Sequence, residues 1–348
     1  MKIAIVTDAW RPQVNGVVRT YENTVIQLNK LGHEVRVLNH EHHRTVPCPS
    51  YPSIRLAILP KRRLAAQLTA FGPDAIHIAT EGPLGHAARS WCLQNGLPFT
   101  TSFHTQFPEY IRLRAPVPVA WSYAYLRRFH RPARRILVPT PSQRRRLLDR
   151  GFHNVEVWSR GVDMALFKPR DKTFLELPRP LFMYMGRVAV EKNIEAFLEP
   201  ELPGSKVVVG DGPDLDKLRK KYRDVRFTGF RFGEELAQHL AAADVFVFPS
   251  LTDTFGIVML EAMACGVPVA AYPVTGPVDV VENGVTGVLD NDLRKAALAA
   301  LELNPRDCID FARSHSWLRC SELFASRLAP IGINAAGSIK EHAVTKSY

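Results

Sequence analysis

The chain has 348 residues, long enough for two domains of ordinary size, and its 46% hydrophobic and 23% charged content is that of an ordinary soluble globular protein. Its formal net charge of +11 is uneven: residues 1–170 carry 25 Lys and Arg against 10 Asp and Glu (+15), and residues 171–348 carry 20 against 24 (−4). An anionic partner is therefore expected for the first half. No apolar run approaches the length of a membrane span, and the opening MKIAIVTDAW is too short a run, ended at Asp8, for a signal peptide. The five cysteines, at 48, 92, 265, 308 and 320, have neither C-x-x-C nor metal-ligand spacing and read as reduced thiols of a cytosolic protein.

In chain order, Ile3 to Val6 reads as a buried strand, the loop AWRPQVNGV leads to a helix over about 17–31 that Gly32 closes, and Glu34 to Leu38 is the next strand. Strand, helix and strand make one βαβ unit, and the rhythm continues at 75–78, a helix ending near Gly96, 99–102, 135–138 and 155–158. A nicotinamide-binding fingerprint is disfavoured, because the first loop lacks G-x-G-x-x-G and Leu38, Asn39 and His40 stand where an acid is needed. Between 108 and 135 an irregular segment sets Val117, Val119, Ala120, Trp121, Tyr123, Tyr125 and Leu126 beside Arg127, Arg128, Arg131, Arg134 and Arg135. Aromatics beside arginines suit an anionic membrane surface, and equally a core helix with one solvated basic face. Further basic clusters stand at 61–63 and 144–146.

Residues 168–180, with three prolines among charged residues, read as an interdomain linker. The βαβ rhythm then restarts at 181–185, 206–209, 225–228, 245–248, 267–271 and 287–289. Two helices are expected over 307–328, the second capped by Ser316 with Trp317, Cys320, Phe324 and Leu328 on one stripe, and a polar tail follows. The predicted domains are 1–170, 171–305, helices over 306–330 that return to the first domain, and a tail over 331–348.

The chemistry gathers in the second half. From Ser250 to Pro268 a loop of hydroxyl and acidic residues runs into a helix that is apolar all round except for Glu261, which predicts burial. A buried carboxylate needs a donor, from the protein or from the hydroxyls of a ligand. Asp253 and the N–H groups of Phe255 and Gly256 lie at the helix start, where an anion binds. Gly186, Arg187 and Lys192 follow one strand, Gly210, Asp211, Gly212 and Pro213 the next, Gly229 a third, and the Asp253 loop a fourth. In a parallel sheet all four strand ends share one edge, and together they describe a site for a nucleoside diphosphate carrying a sugar.

With PQVNGV near the start, SFHTQFPEY at 102–110, RGVDMALFKP at 160–169, GRVAVEKN at 186–193, VGDGP at 209–213 and TDTFGIVMLEAMACG at 252–266, nearly the whole chain resembles the retaining family 4 glycosyltransferases. The resemblance implies the GT-B fold, two Rossmann-like parallel-sheet domains facing a cleft. The family carries two glutamates separated by seven residues; here Asp253 replaces the first and Glu261 keeps the second. The TDTFG form is similar to bacterial enzymes that glycosylate membrane lipids: sulfoquinovosyl, glucosyl and glucuronosyl diacylglycerol synthases and glycolipid mannosyltransferases.

The roles that follow are those the resemblance implies. Arg187 and Lys192 hold the diphosphate and neutralise the charge that grows on it as it leaves, Glu261 binds the ribose, and Asp253 with Thr254, Phe255, Gly256 and Ile257 holds sugar hydroxyls and phosphate. Gly186 and Gly212 complete the donor site, Gly16 admits donor and acceptor to the backbone, and His104 reaches the transferred sugar. Trp121, Arg127, Arg128 and Arg131 are the expected membrane and acceptor contacts, whereas Asp8 and Glu109 read as structural. Attack on the face the diphosphate leaves is favoured, without a metal, since Arg187 and Lys192 do the neutralising and no D-x-D motif stands where these enzymes would bind one, and without a cofactor beyond the sugar nucleotide. The expected enzyme is a peripheral protein of the inner face of the cytoplasmic membrane. It moves a hexose or uronic acid from a UDP-glucose or UDP-glucuronate type donor to diacylglycerol or a similar lipid, with GDP-mannose-dependent transfer to a glycolipid or polysaccharide precursor as the alternative. A nucleotide-sugar epimerase of the same fold and a basic nucleic-acid-binding module are the rivals; no nucleic-acid motif supports the latter.

Overall fold

The computed structural model describes residues 1–13, 15–48, 51–114 and 118–332. Val117 and residues 333–348 of the expected tail lie outside the described residues. The chain divides into two compact units, one formed by Met1–Pro108, Pro116–Ser159 and Leu318–Tyr348, the other by Glu109–Ala115 and Arg160–Trp317.

The first unit is built on β1 (Lys2–Val6), α1 (Gly16–Lys30), β2 (Glu34–Leu38), β3 (Thr45–Cys48), β4 (Tyr51–Ala57), α2 (Lys61–Phe71), β5 (Ala75–Ile78), α3 (Pro83–Gln94) and β6 (Thr100–Ser102). After α4 (Phe107–Arg114) come α5 (Val119–His130), β7 (Arg135–Val138), α6 (Pro141–Asp149) and β8 (Val155–Val157). Six strands form one parallel sheet in the order β2-β1-β5-β6-β7-β8. Ile3, Ala4, Ile5 and Val6 of β1 are all fully buried, as short apolar strands covered on both faces must be. The antiparallel pair β3 and β4 is an addition to the expected series.

The second unit repeats the plan with β9 (Leu181–Met185), α7 (Glu195–Leu198), β10 (Ser205–Val209), α8 (Leu215–Lys221), β11 (Arg226–Gly229), α9 (Gly233–Ala242), β12 (Val245–Phe248), α10 (Ile257–Ala264), β13 (Val269–Ala271), α11 (Pro277–Val280), β14 (Gly287–Leu289), α12 (Leu293–Ala300) and α13 (Pro305–Arg313). Its parallel sheet runs β11-β10-β9-β12-β13-β14. Each unit has its own apolar core, around Phe99, Phe103 and Phe129 in the first and Phe182, Phe197 and Val247 in the second.

Three expected boundaries change. The units part between Ser159 and Arg160, so residues 168–180 are no linker but belong wholly to the second unit. There Lys172 Nζ donates to Ala243 O (3.0 Å), Arg179 Nη1 to Ala242 O (3.3 Å) and Arg170 Nη1 to Glu234 (2.5 Å), which pins the proline-rich strap to α9. Of the two C-terminal helices only the second, α14 (Trp317–Arg327), joins the first unit, from Leu318 onward. Phe324 stacks on Trp158 at 4.6 Å between centroids, Trp158 Nε1 donates to Cys320 O (3.0 Å), and Arg135 Nη1 to Arg327 O (3.1 Å). The expected polar tail also starts later: Ile331 is buried, and its N–H donates to Asp74 O at 2.7 Å.

Candidate functional site

In the second unit β9 stands between β10 and β12, so the chain leaves β9 in opposite directions on its two sides, and the loops after β9 and β12 meet at the carboxyl edge. Open α/β sheets bind ligands at such a switch point. The structure brings two expected site residues into direct contact there. Lys192 Nζ donates to both oxygens of Asp253, at 2.7 and 2.8 Å, with the side chains only 20% and 18% exposed. Neighbouring bonds fix the two loops: Thr252 Oγ1 donates to Glu191 O (3.3 Å) and Asn193 Nδ2 to Pro249 O (3.1 Å).

Behind Asp253 the backbone of Gly276 is so close that a Cβ there would stand 2.7 Å from Asp253 O, at a φ of +99° that side chains rarely adopt. Gly256 forms the N-cap of α10 and precedes Ile257 at its first turn, where Met259 N donates back to Gly256 O at 3.0 Å. Thr254 and Phe255 are buried in the loop, and Glu261, one turn into the helix, is 2% exposed. Burial and the nearby Glu261 carboxylate push the Cys265 thiol up to about 12, so this cysteine is a packing residue and not a thiolate. Burial does the same to Cys92 and Cys308, each pushed up to about 12.

Arg187 follows β9 on the same edge, its carbonyl accepting from Tyr184 Oη at 2.8 Å. The glycines of this edge let backbone pack on backbone. A Cβ on Gly210 would lie 1.8 Å from Gly186 O, and one on Gly212 2.2 Å from Val188 O. They let the loops after β9 and β10 lie backbone to backbone, with Gly186 N donating to Val209 O and Val188 N to Asp211 O, each at 2.9 Å. At the end of β11 the exposed rings of Phe230 and Phe232 stack at 5.8 Å.

In the first unit Gly16 begins α1 after Asn15, whose Oδ1 accepts from Val17 N and Val18 N at 3.0 Å each. Asp8, 5% exposed, accepts from Leu84 N (2.9 Å), Gly85 N (3.3 Å) and Thr80 Oγ1 (2.8 Å), which holds the start of α3. Burial raises its pKa against those bonds, and its position is structural, as expected. His104, half-buried after β6, has its Nε2 2.7 Å from Tyr21 Oη.

The stretch expected to be irregular, 108–135, is largely helical, in α4 and α5. Tyr123, Leu126, Phe129 and His130 face the core, while Trp121 (72% exposed), Tyr125 (51%), Arg127, Arg128 and Arg131 face outward. Arg127 is spent within the unit, since its Nη1 donates to Arg150 O at 2.7 Å. Among the described residues no group of three or more His, Cys, Asp or Glu is arranged to hold a metal, and no helix is long and apolar enough to cross a membrane.

Residues 14–166 match the family described as Glycosyltransferase Family 4, and residues 179–303 match Glycosyl transferases group 1. A GDP-mannose-dependent alpha-mannosyltransferase of Mycolicibacterium smegmatis is 34% identical over 329 residues, 86% of this chain and 87% of that protein. The chain belongs to glycosyltransferase family 4. The glycosyltransferase is also 26% identical to an alpha-monoglucosyldiacylglycerol synthase of Streptococcus pneumoniae, over 88% of its own length and 79% of the other's. Its fold is that of GT-B enzymes such as the sucrose-phosphate synthase of Thermosynechococcus elongatus, with a TM-score of 0.74 at 20% identity, covering 93% and 97% of the two chains.

Two features of this glycosyltransferase escaped sequence reasoning: the support that Gly276 gives the Asp253 loop, and the contact of Tyr21 with His104. Gly-Pro at 276–277 was a visible turn signal, but nothing in it named Asp253 as the neighbour. Tyr21 sits on the buried stripe of α1 and reads as core.

Proposed function

We propose that this glycosyltransferase transfers a hexosyl or hexuronosyl group, with retention, from a nucleoside diphosphate sugar to a membrane-lipid acceptor, without a metal or another cofactor. The observation that carries the reading is the Lys192–Asp253 contact at the switch point of the second sheet, ahead of the first turn of α10. A diphosphate entering there exchanges one anionic partner of Lys192 for another, while Asp253 is released towards the sugar hydroxyls. Arg187 and Lys192 neutralise the departing diphosphate, whose own oxygen takes the acceptor's proton on the same face. Glu261 takes the ribose diol, and His104 acts on the transferred sugar.

Diacylglycerol as acceptor and a glucosyl group as cargo are supported by the likeness to the monoglucosyldiacylglycerol synthase, and the donor proposed with them is of the UDP-glucose or UDP-glucuronate type. GDP-mannose is a second donor reading, favoured by the 34% identity to the mannosyltransferase. The outward face of α5, with Trp121 and the arginines at 128 and 131, supports peripheral contact with an anionic cytoplasmic leaflet.

The test is a panel of UDP-glucose, UDP-glucuronate and GDP-mannose, each with diacylglycerol and with a glycolipid acceptor in anionic vesicles, with and without EDTA. Products are identified by mass spectrometry and their anomeric configuration by NMR. An α-linked glycolipid formed equally well in EDTA is expected. Donor isomerisation without acceptor, an inverted product, or loss of transfer in EDTA would refute the corresponding part.

A further inference from the structure

The reading of His104 as the residue that acts on the sugar leaves open what holds its ring, and four polar side chains of the first unit lie behind it. Tyr21, fully buried on α1, sends its hydroxyl to the carboxyl ends of β5 and β6. Its Oη lies 2.7 Å from His104 Nε2, 2.8 Å from His77 Nε2 and 3.1 Å from Ser102 Oγ. His77, fully buried on β5, lies 2.9 Å from Ser102 Oγ through Nε2 and 2.8 Å from Thr100 Oγ1 through Nδ1. Thr100 Oγ1 in turn donates to Ile76 O at 3.5 Å.

A tyrosine hydroxyl has one proton and two lone pairs. Ser102 Oγ at 3.1 Å is an acceptor for that proton, and the two histidine nitrogens at 2.7 and 2.8 Å donate or accept according to their tautomers. With the proton directed to Ser102, the Tyr21 oxygen accepts from His104, and Nε2 of His104 carries a proton. The remaining contacts continue behind the hydroxyl. Ser102 Oγ lies against His77 Nε2, His77 Nδ1 against Thr100 Oγ1, and Thr100 ends the chain by donating to a backbone carbonyl. The rings are also wedged: Tyr21 meets His104 edge-on at 5.2 Å and packs on Trp158 at 5.7 Å.

We propose that Tyr21, backed by Ser102, His77 and Thr100, is the positioning residue that fixes the ring of His104 and its Nε2–H tautomer for sugar transfer. The Nε2 edge cannot turn towards the substrate without breaking the contact with Tyr21. This deepens the role assigned to His104 and rests on it.

The experiment uses the full chain. Tyr21→Phe keeps the packed ring and removes only the hydroxyl. Two-bond 1H–15N spectra of histidine-labelled protein, assigned with His104→Gln, report the tautomer without any ligand. The expected result is an Nε2–H ring for His104 in the unsubstituted protein and a mixed or reversed pattern in Tyr21→Phe. With the best donor of the panel, kcat should fall roughly tenfold, the size of one lost hydrogen bond to a neutral group, with the donor KM little changed and the acidic limb of the pH–rate profile displaced. Should Tyr21→Phe not fold, His77→Gln, which leaves Tyr21 in place and disturbs its support, must give the same displacement. An unchanged tautomer and pH profile beside an inactive His104→Gln would overturn the positioning role alone. Full activity in His104→Gln would overturn the role of His104, and this inference with it.

Discussion

Replacing Lys192 by Gln removes the cation from a pair whose two contacts are 2.7 and 2.8 Å long and whose side chains are 20% and 18% exposed. At that separation the bare attraction is about 6 kcal/mol at an effective dielectric of about 20, but desolvation of the two groups offsets most of it. Stability should therefore fall by only about 1–2 kcal/mol. Loss of a fixed cation facing charge that develops on a leaving group costs more, about 2.7–4 kcal/mol, or roughly 10²–10³ in rate. The two magnitudes separate the readings: a purely structural pair would lose stability and keep its rate. Initial rates of transfer, read by mass spectrometry, and urea unfolding of the same preparation give both numbers. Asp253→Asn adds the complementary arm. It frees Lys192 from its carboxylate, so a nucleoside diphosphate without sugar should bind at least as tightly as to the unsubstituted chain, while sugar transfer falls. A Lys192→Gln enzyme within about threefold of the normal rate, against the roughly 10²-fold loss argued above, would refute the assignment of this lysine to the diphosphate.

Gly276→Ala, whose new Cβ would stand 2.7 Å from Asp253 O, should destabilise the fold by about 1–3 kcal/mol and lower transfer more than that loss explains, read by unfolding and rate together. Asp244 is a pH-dependent anchor: burial alone would raise its pKa, but the Leu181 N–H at 2.7 Å and Arg179 hold it below its ordinary 3.8. A depressed acid stabilises above its unfolded pKa, so Asp244→Asn should cost about 1–3 kcal/mol at neutral pH, a difference that shrinks as pH falls through 3.8 and below in urea titrations. Trp121→Ala with Arg128→Ala and Arg131→Ala should weaken co-sedimentation with phosphatidylserine vesicles by about 2 kcal/mol from the arginines alone, and leave donor hydrolysis in solution unchanged.

The sheets were legible because their strands are short, apolar and buried on both faces. Leu181–Met185 and Val245–Phe248 stand where they were read, and strand order then put Lys192 and Asp253 on one edge. That they touch was not legible, since they are 61 positions apart and only the meeting of two loops decides it. The pair β3 and β4 was missed because Pro47 and Pro52 interrupt any alternating pattern. In α5 the aromatics fall on both faces, Tyr123 inward and Trp121 outward, which hid the helical period until the core was in view. The strap over 168–180 looked like a linker for its prolines, and only its bonds to the end of α9 place it in the second unit. The tyrosine behind His104 lies 83 positions away and carries no motif, so its chemistry comes from packing alone.

The account turns on where a diphosphate sits. A crystal structure of the complex with UDP or GDP should show Lys192 Nζ moved off Asp253 and within about 3 Å of a phosphate oxygen, with Arg187 beside it and Glu261 on the ribose diol. A nucleotide bound elsewhere, or one bound here while Lys192 stays on Asp253, would contradict it.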